Sequence, residues 1–187
     1  MSKITVEQLS ELHEQNKAGR VTRENLQAFL RNPNSVSGAN TLLTVNRSRT
    51  FNPAKFIGRG WTIEEEDGAS LALTQVNLAD VLLETMLKPS DNGRVQGEKK
   101  LRRLKAEGLI RLDAGIFQAL WKNKHLIPES WKGKYAVYFD GTVLRRPHGY
   151  RCVLYLYWRG GEWYWSDDWF GDVWSAELPS AVLAKSR

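Results

Sequence analysis

A stretch near the C-terminus, YLYWRGGEWYWSDDWFGDVW (residues 155–174), contains five of the chain's eight tryptophans. Gly160 and Gly161 separate two segments in which large apolar residues alternate with polar or amphipathic ones. Such alternation is typical of a half-buried β-strand, and a Gly-Gly dipeptide is typical of a two-residue hairpin turn. The stretch therefore predicts a β-hairpin.

A two-residue turn also predicts which residues of the hairpin face each other. Trp158 should lie opposite Trp163, and Tyr157 opposite Tyr164, because opposed residues share a face and faces alternate along each strand. One face then carries Leu154, Leu156, Trp158, Trp163 and Trp165. The other face carries Tyr155, Tyr157, Arg159, Glu162, Tyr164 and Ser166. The first set is apolar and the second is amphipathic.

The two faces predict two different roles. A buried tryptophan removes on the order of 200 Å² from water, so indoles on one face can hold a short sheet rigid. The indoles expected in the core are Trp158, Trp163, Trp165, Trp169 and Trp174. The residues expected at the surface are Tyr157, Tyr164, Asp167, Asp168 and Asp172. Tyrosines, a serine and acids on a rigid support are the composition of an antibody paratope, so a binding surface and an ordinary sheet surface are equally open interpretations of this face.

The remainder of the chain predicts an α+β domain. Segments 1–31 and 32–50 are predicted to be a helical hairpin and a linker, and residues 51–187 an α+β domain whose Trp-rich antiparallel sheet spans 135–187. Helices packed on that sheet are expected over NLADVLLETMLK, GEKKLRRLKAEG and AGIFQALWKNKH, the last capped by Asp113. FIGRGWTI, SLALTQV and LIRL are expected to be strands.

From about Phe51 onward the chain resembles a group of multi-copy bacterial proteins. The resemblance rests on FNPAKFIGRGWTI, GEKKLRRLKAEGLIRLDAGIFQALWKN and a C-terminal frame of YLYW, GGEWYW and PSAVLA. In such proteins the tail is similar to the variable proteins of diversity-generating retroelements, whose target ends have a C-type-lectin-like fold. The resemblance implies a ligand-binding protein with changeable residues set in a fixed scaffold. The changeable positions would be Tyr155, Tyr157, Arg159, Glu162, Tyr164, Ser166, Asp167, Asp168, Asp172, Val173, Ser175 and Glu177.

A basic segment supplies the alternative function. The net charge is +6, and the helix predicted over 97–108 carries several cations. Lys99, Lys100, Arg102, Arg103 and Lys105 would contact DNA in a winged-helix-like arrangement. A solvated basic face is favoured over this hypothesis, because Leu101 and Leu104 provide the inward contacts of an ordinary amphipathic helix.

The sequence offers little that favours an enzyme. The chain has one cysteine and three well-separated histidines, and it lacks a phosphate-binding glycine loop, a metal-ligand spacing and a recognisable catalytic set. Asp167, Asp168 and Asp172 match no EF-hand spacing. We expect no cofactor and no metal, and a protein or carbohydrate ligand, with the oligomeric state left open. A polar N-terminus without a signal-peptide core and no apolar run of about 18 residues predict a cytoplasmic protein that is not embedded in a membrane.

Overall fold

The structure, a computed structural model, describes residues 41–185. The predicted helical hairpin of residues 1–31 and the first part of the predicted linker lie outside these residues. The described residues belong to one compact unit of the chain, which starts at Thr41. Leu43 is completely buried in a strand, so the second half of the predicted linker of residues 32–50 belongs to the domain.

The sheet framework consists of twelve strands within residues 41–185. They are β1 (Leu42–Thr44), β2 (Thr62–Glu66), β3 (Gln75–Asn77), β4 (Leu82–Glu84), β5 (Val95–Gln96), β6 (Ile110–Arg111), β7 (Ala136–Tyr138), β8 (Thr142–Arg145), β9 (Arg151–Arg159), β10 (Glu162–Trp169), β11 (Val173–Trp174) and β12 (Ser180–Leu183). Eight of them form one sheet in the order β2-β8-β9-β7-β12-β4, with β10 paired to β9 and β6 paired to β12. This sheet is antiparallel except for the β7–β12 pair, and β1–β3 and β5–β11 form two small ribbons.

Four α-helices accompany the strands in the described part of the chain. They are α1 (Pro53–Phe56), α2 (Gly68–Leu71), α3 (Gly97–Ala106) and α4 (Ala114–Lys122). Short 3₁₀ turns cover Leu78–Asp80, Pro89–Asp91, Lys124–Leu126 and Glu129–Trp131. None of the helices within residues 41–185 is long and apolar enough to cross a membrane.

The predicted start of α4 is confirmed. The Asp113 carboxylate accepts hydrogen bonds from the backbone N–H groups of Gly115 and Ile116, which satisfies two donors that a helix start leaves unpaired. Asp113 is itself fully buried and is held by the guanidinium of Arg47, at 2.9 and 3.0 Å, and by the Ser70 hydroxyl. One carboxylate therefore joins α4 to the segments before β2 and after it.

The helix predicted over NLADVLLETMLK is wrong. Leu78–Asp80 is a 3₁₀ turn, and Leu82–Glu84 is strand β4, which pairs with β12 at the end of the large sheet. A short apolar run rich in Leu and Val is compatible with either a buried helix or a strand. Here the run forms a strand because it pairs with β12. Met86 has a left-handed φ of 55°, which would interrupt a helix in any case.

Two more strand predictions need correction. The segment SLALTQV contains the end of helix α2, at Ser70 and Leu71, and the start of β3, at Gln75, rather than one strand. In FIGRGWTI the first residue, Phe56, is the last residue of α1, and β2 starts only at Thr62. The strand predicted over LIRL is confirmed, and strands β7 to β12 confirm the sheet predicted within residues 135–187.

The core lies on both faces of the large sheet. The larger cluster packs α4 residues such as Phe117 and Leu120 against Leu154, Leu156 and Trp163. A smaller cluster on the other side of β9 packs Leu101 of α3 with Tyr138, Val153, Phe170 and Trp174. The molecule is thus an α+β protein built around a large, mostly antiparallel sheet, as predicted.

Candidate ligand-binding surface

The hairpin formed by β9 and β10 has the predicted register. Trp163 pairs with Trp158, and Tyr164 with Tyr157. Gly160 and Gly161 form the turn with φ of 59° and 91°. Two successive left-handed residues match a type I′ turn, whose twist fits the strands and which glycine adopts without strain.

The indole face of the hairpin points into the larger core. Trp163 is 5% exposed and meets Trp158 edge to face, with ring centroids 5.4 Å apart. Trp165 packs on Phe56 of α1, at 4.8 Å, and on Phe117 of α4. The tryptophans on this face therefore anchor the hairpin to the helices.

Four tyrosines form a continuous row on the opposite face, which we call the tyrosine row: Tyr138, Tyr155, Tyr157 and Tyr164. Successive ring centroids lie 5.0, 5.6 and 5.7 Å apart, and the interplanar angles are 18°, 38° and 27°. The row runs from Tyr138, which is 1% exposed, to Tyr164, which is 42% exposed. It thus leads from the smaller core to the surface.

The inner end of the tyrosine row is covered, which the hairpin pattern alone does not predict. Trp174 contacts the Tyr138 ring at 4.6 Å and Phe170 at 5.4 Å. Tyr155 is consequently half-buried, and burial raises the pKa of its hydroxyl. Tyr157 is half-buried as well, although the sequence predicts it at the surface, and Tyr164 is the exposed end of the row.

One of the predicted core tryptophans is at the surface. Trp169 is 40% exposed and makes an edge contact with Tyr150, which is 51% exposed. Alternation along the strand assigns the face of a residue but not its burial. The prediction that Trp169 is buried is wrong, whereas Trp174 is buried as predicted.

The acids of the hairpin lie on different faces. Asp167 pairs with Leu154 on the indole side, where the guanidinium of Arg146 binds it. Asp168 lies on the tyrosine side and accepts a hydrogen bond of 2.6 Å from the Tyr138 hydroxyl. Burial and the nearby Asp168 carboxylate raise the pKa of Asp172. Asp168 and Asp172 therefore form an acidic border beside the inner half of the tyrosine row.

The other predicted site residues surround this face. Arg159 and Glu162 are exposed beside the turn, and Ser166 is half-buried between Tyr164 and Asp168 along β10. Val173, in the β5–β11 ribbon, is 60% exposed. The Ser175 hydroxyl donates to the carboxylate of Glu177, whose backbone carbonyl accepts from the N–H of Ala136 at the start of β7. Of the predicted set, only Asp167 lies clearly on the other face.

The basic helix α3 has few cations available to a ligand. The five nominated residues are Lys99, Lys100, Arg102, Arg103 and Lys105. Lys99 and Arg103 bind Asp91, at 2.9 and 3.0 Å. Lys105 binds Glu65 at 2.7 Å. Lys100 is 1% exposed. Within residues 41–185, Arg102 alone of the five is both exposed and without a charged partner.

Lys100 instead packs against the inner end of the tyrosine row. Its Nζ donates to the Leu178 carbonyl at 2.7 Å and lies 5.3 and 5.1 Å from the ring centroids of Tyr138 and Trp174. Burial lowers the pKa of its ammonium to about 8, although Asp140 and Glu84 favour the charged form. Sequence alone could not place this lysine, because its aromatic partners come from β7 and β11.

Tyr138 is the residue of the row that the sequence did not single out. It lies directly opposite Tyr155 in the β7–β9 pair. Its only sequence signal is the alternation in YAVYF, which does not reveal the partner strand.

The described residues hold no arrangement typical of a metal centre. Between Thr41 and Lys185, no group of three or more His, Cys, Asp and Glu side chains is placed to hold a metal ion. Burial raises the pKa of the Cys152 thiol to about 12, which keeps it protonated and unreactive at neutral pH. No protein-family model, curated protein or solved structure matches this chain.

Proposed function

We propose that this chain is a non-enzymatic binding protein that uses the exposed end of the tyrosine row and its acidic border to bind a protein ligand. The observation that carries the proposal is the placement of Tyr157 and Tyr164 on a hairpin whose opposite face is packed on the core. On that face Trp163 is buried, and Trp158 and Trp165, predicted to be in the core, are half-buried against it. A tyrosine on such a rigid support contributes a large contact area and loses little conformational entropy on binding.

The packing of the rings favours a protein over a carbohydrate. A sugar ring typically binds flat on an open aromatic face. In the tyrosine row the faces of Tyr155 and Tyr157 are covered by neighbouring rings within 6 Å, and of the four rings only that of Tyr164 is exposed. Edges and hydroxyl groups remain for contact, and these suit the mixed apolar and hydrogen-bonding surface of a protein.

The resemblance to retroelement-diversified proteins enters this proposal as well. Exchange at a diversified position must leave the core intact, and Arg159, Glu162, Tyr164, Val173 and Glu177 are all exposed. We infer that these positions tolerate substitution within a lectin-like scaffold. A near-copy of the 3′ end of the gene beside a reverse transcriptase, differing at adenines, would support diversification, and its absence would remove that part of the proposal.

DNA binding through α3 has less support. A phosphate contact needs an accessible cation, and Lys100 is buried while Lys99, Arg103 and Lys105 are already paired with acids. No observation in the described residues favours this function over a solvated helix face.

The proposal can be tested with a displayed library of random peptides. Clones selected on the wild-type protein are measured against the Tyr157→Ala/Tyr164→Ala variant and against Tyr150→Ala, which removes an equally exposed tyrosine outside the row. We expect the double variant to lose binding at least roughly tenfold, as for an interface hot spot, and Tyr150→Ala to retain it. Peptides that bind the double variant normally, or a glycan array that outperforms the peptides, would reject a protein-binding tyrosine face.

A further inference from the structure

Strand β10 has a free edge. It pairs with β9 along its whole length and with no other strand in residues 41–185. The Phe170 N–H donates to the Arg151 carbonyl, so even-numbered residues of β10 and its extension exchange hydrogen bonds with β9. The main-chain groups of Trp163, Trp165 and Asp167 therefore point away from β9.

The neighbouring strands confirm this direction. The Leu154 carbonyl accepts from the Phe139 N–H, so even-numbered residues of β9 bond toward β7. Leu154, Leu156 and Trp158 lie opposite Asp167, Trp165 and Trp163. Those pairs cannot be bonded to each other, which leaves a row of outward N–H and C=O groups along β10.

This edge lacks most of the features that protect exposed strands. Proteins usually shorten an edge strand, bend it with a bulge, or place proline or lysine on it. Strand β10 has eight residues in unbroken register and contains neither proline nor lysine. Such an edge is a template for a further strand, and strand addition is an established mode of peptide binding.

The negative charge of β10 favours a positively charged strand as its partner. Its side chains include Glu162, Asp167 and Asp168 and no cation. The two nearest cations belong to other segments. Arg159 lies in β9, opposite Glu162, and Arg146, which follows β8, binds Asp167. Two copies of β10 paired together would bring four carboxylates, Glu162 and Asp168 of each copy, onto the tyrosine face of the paired strands, which like-charge repulsion opposes.

We propose that β10 accepts an extended basic segment of a partner protein as an additional strand of the large sheet. The inference rests on the proposed binding function and specifies its ligand. Main-chain groups of Trp163, Trp165 and Asp167 would supply the hydrogen bonds. Alternate side chains of the added strand would lie beside Glu162, Tyr164, Ser166 and Asp168, where arginine or lysine finds carboxylates and an aromatic ring.

The test uses a blocked peptide of about eight residues that alternates arginine with threonine, and amide hydrogen exchange of the full-length protein by NMR. In the free protein we expect protected amides at Tyr164 and Ser166 and fast exchange at Trp163, Trp165 and Asp167. Addition of the peptide should slow exchange at the latter three at least tenfold. A peptide with glutamate in place of arginine should bind at least tenfold more weakly.

Two N-methylated peptides provide the matched control. Methyl groups on one alternate set of peptide nitrogens face β10 and block its hydrogen bonds, whereas methyl groups on the other set face solvent. One of these peptides should lose at least tenfold in affinity and the other should bind normally. Equal binding of both would overturn strand addition.

The remaining outcomes are also informative. Binding that shifts Tyr157 and Tyr164 but leaves the three edge amides unchanged would overturn strand addition and leave the proposed tyrosine-face function standing. A lack of binding to the arginine peptide at millimolar concentration would overturn the basic ligand, whereas the library selection tests the binding function separately. If the edge amides are already protected without peptide and sedimentation shows that the free protein is a dimer, a second copy is the occupant and the proposal is contradicted.

Discussion

Tyr164 lies opposite Tyr157 with ring centroids 5.7 Å apart, while one position along the same strand Trp163 meets Trp158 on the other face at 5.4 Å. The two pairs are adjacent in sequence and differ in surroundings. Tyr164 is 42% exposed and Trp163 is 5% exposed. The hairpin therefore separates a surface that can bind from a surface that stabilises.

The first prediction concerns stability. Trp163→Ala should lower the free energy of unfolding by about 3–5 kcal/mol, because it removes a buried indole and leaves a cavity. Tyr157→Ala/Tyr164→Ala should lower it by less than about 1.5 kcal/mol, the size of a lost ring contact at a partly exposed site. Urea unfolding of both variants measures these values, and a larger loss in the tyrosine variant would show that the faces have been assigned the wrong way round.

The second prediction is a pH dependence that originates from Lys100. Its pKa is about 8 in the folded protein against 10.5 for an ordinary lysine. Between these values the unfolded chain binds more protons than the folded one, so stability should rise as the pH increases from about 8 to 10. The full gain in the free energy of unfolding is on the order of 3 kcal/mol. It is present above the unfolded pKa of 10.5 and is lost progressively as the pH falls to the folded pKa of about 8.

Lys100→Met and Lys99→Met provide the comparison for this effect. Lys99 is exposed and paired with Asp91, so its variant should keep the rise, whereas the Lys100 variant should show a flatter profile. The window ends near pH 10, because the raised pKa of Tyr138 and Tyr155 opposes folding at higher pH. An equal rise in both variants would mean that Lys100 is not its source.

The third prediction concerns a glycine that permits close chain packing. A Cβ atom at Gly141 would come within 2.2 Å of the Arg111 carbonyl oxygen and 2.7 Å of the Asp113 nitrogen. Backbone atoms cannot move aside as a side chain can, so Gly141→Ala should destabilise the protein by roughly 3 kcal/mol or more. Gly68→Ala, where nothing lies within 4 Å of the added atom, serves as the control and should be neutral or slightly stabilising in thermal unfolding.

The fourth prediction tests the alternative DNA-binding role of α3. Arg102 is exposed and has no charged partner in residues 41–185, so it is the α3 cation most available to a phosphate. A DNA-binding helix would lose about one unit of salt dependence with each lost phosphate contact. Elution of Arg102→Ala from a duplex DNA column at the same salt concentration as wild type is the expected result, and a marked drop would restore the DNA-binding hypothesis.

The hairpin could be predicted because its determinants are local. The two-glycine turn at 160–161 and the alternation on either side fix both the register and the faces. The N-cap of α4 was likewise predictable, since Asp113 bonds to the two residues that follow it within the helix.

The remaining features depend on contacts between distant segments. The residues of β4 become a strand because the edge of β12 is available to them, and no local pattern excludes a helix there. Lys100 is buried because the rings of Tyr138 and Trp174, from β7 and β11, pack against its ammonium group. Trp169 lies on the same face of the hairpin as Trp163 and is 40% exposed, a difference that alternation along the strand does not contain.

Hydroxyl-radical footprinting measures the separation of the two faces most directly. In the free protein, Tyr164 and Trp169 should be oxidised rapidly and Trp163 slowly, in keeping with exposures of 42%, 40% and 5%. A selected peptide ligand should protect Tyr164 and leave the exposed Tyr150 reactive. Rapid oxidation of Trp163 together with protection of Tyr164 in the free protein would contradict the assignment of the tyrosine face as the binding surface.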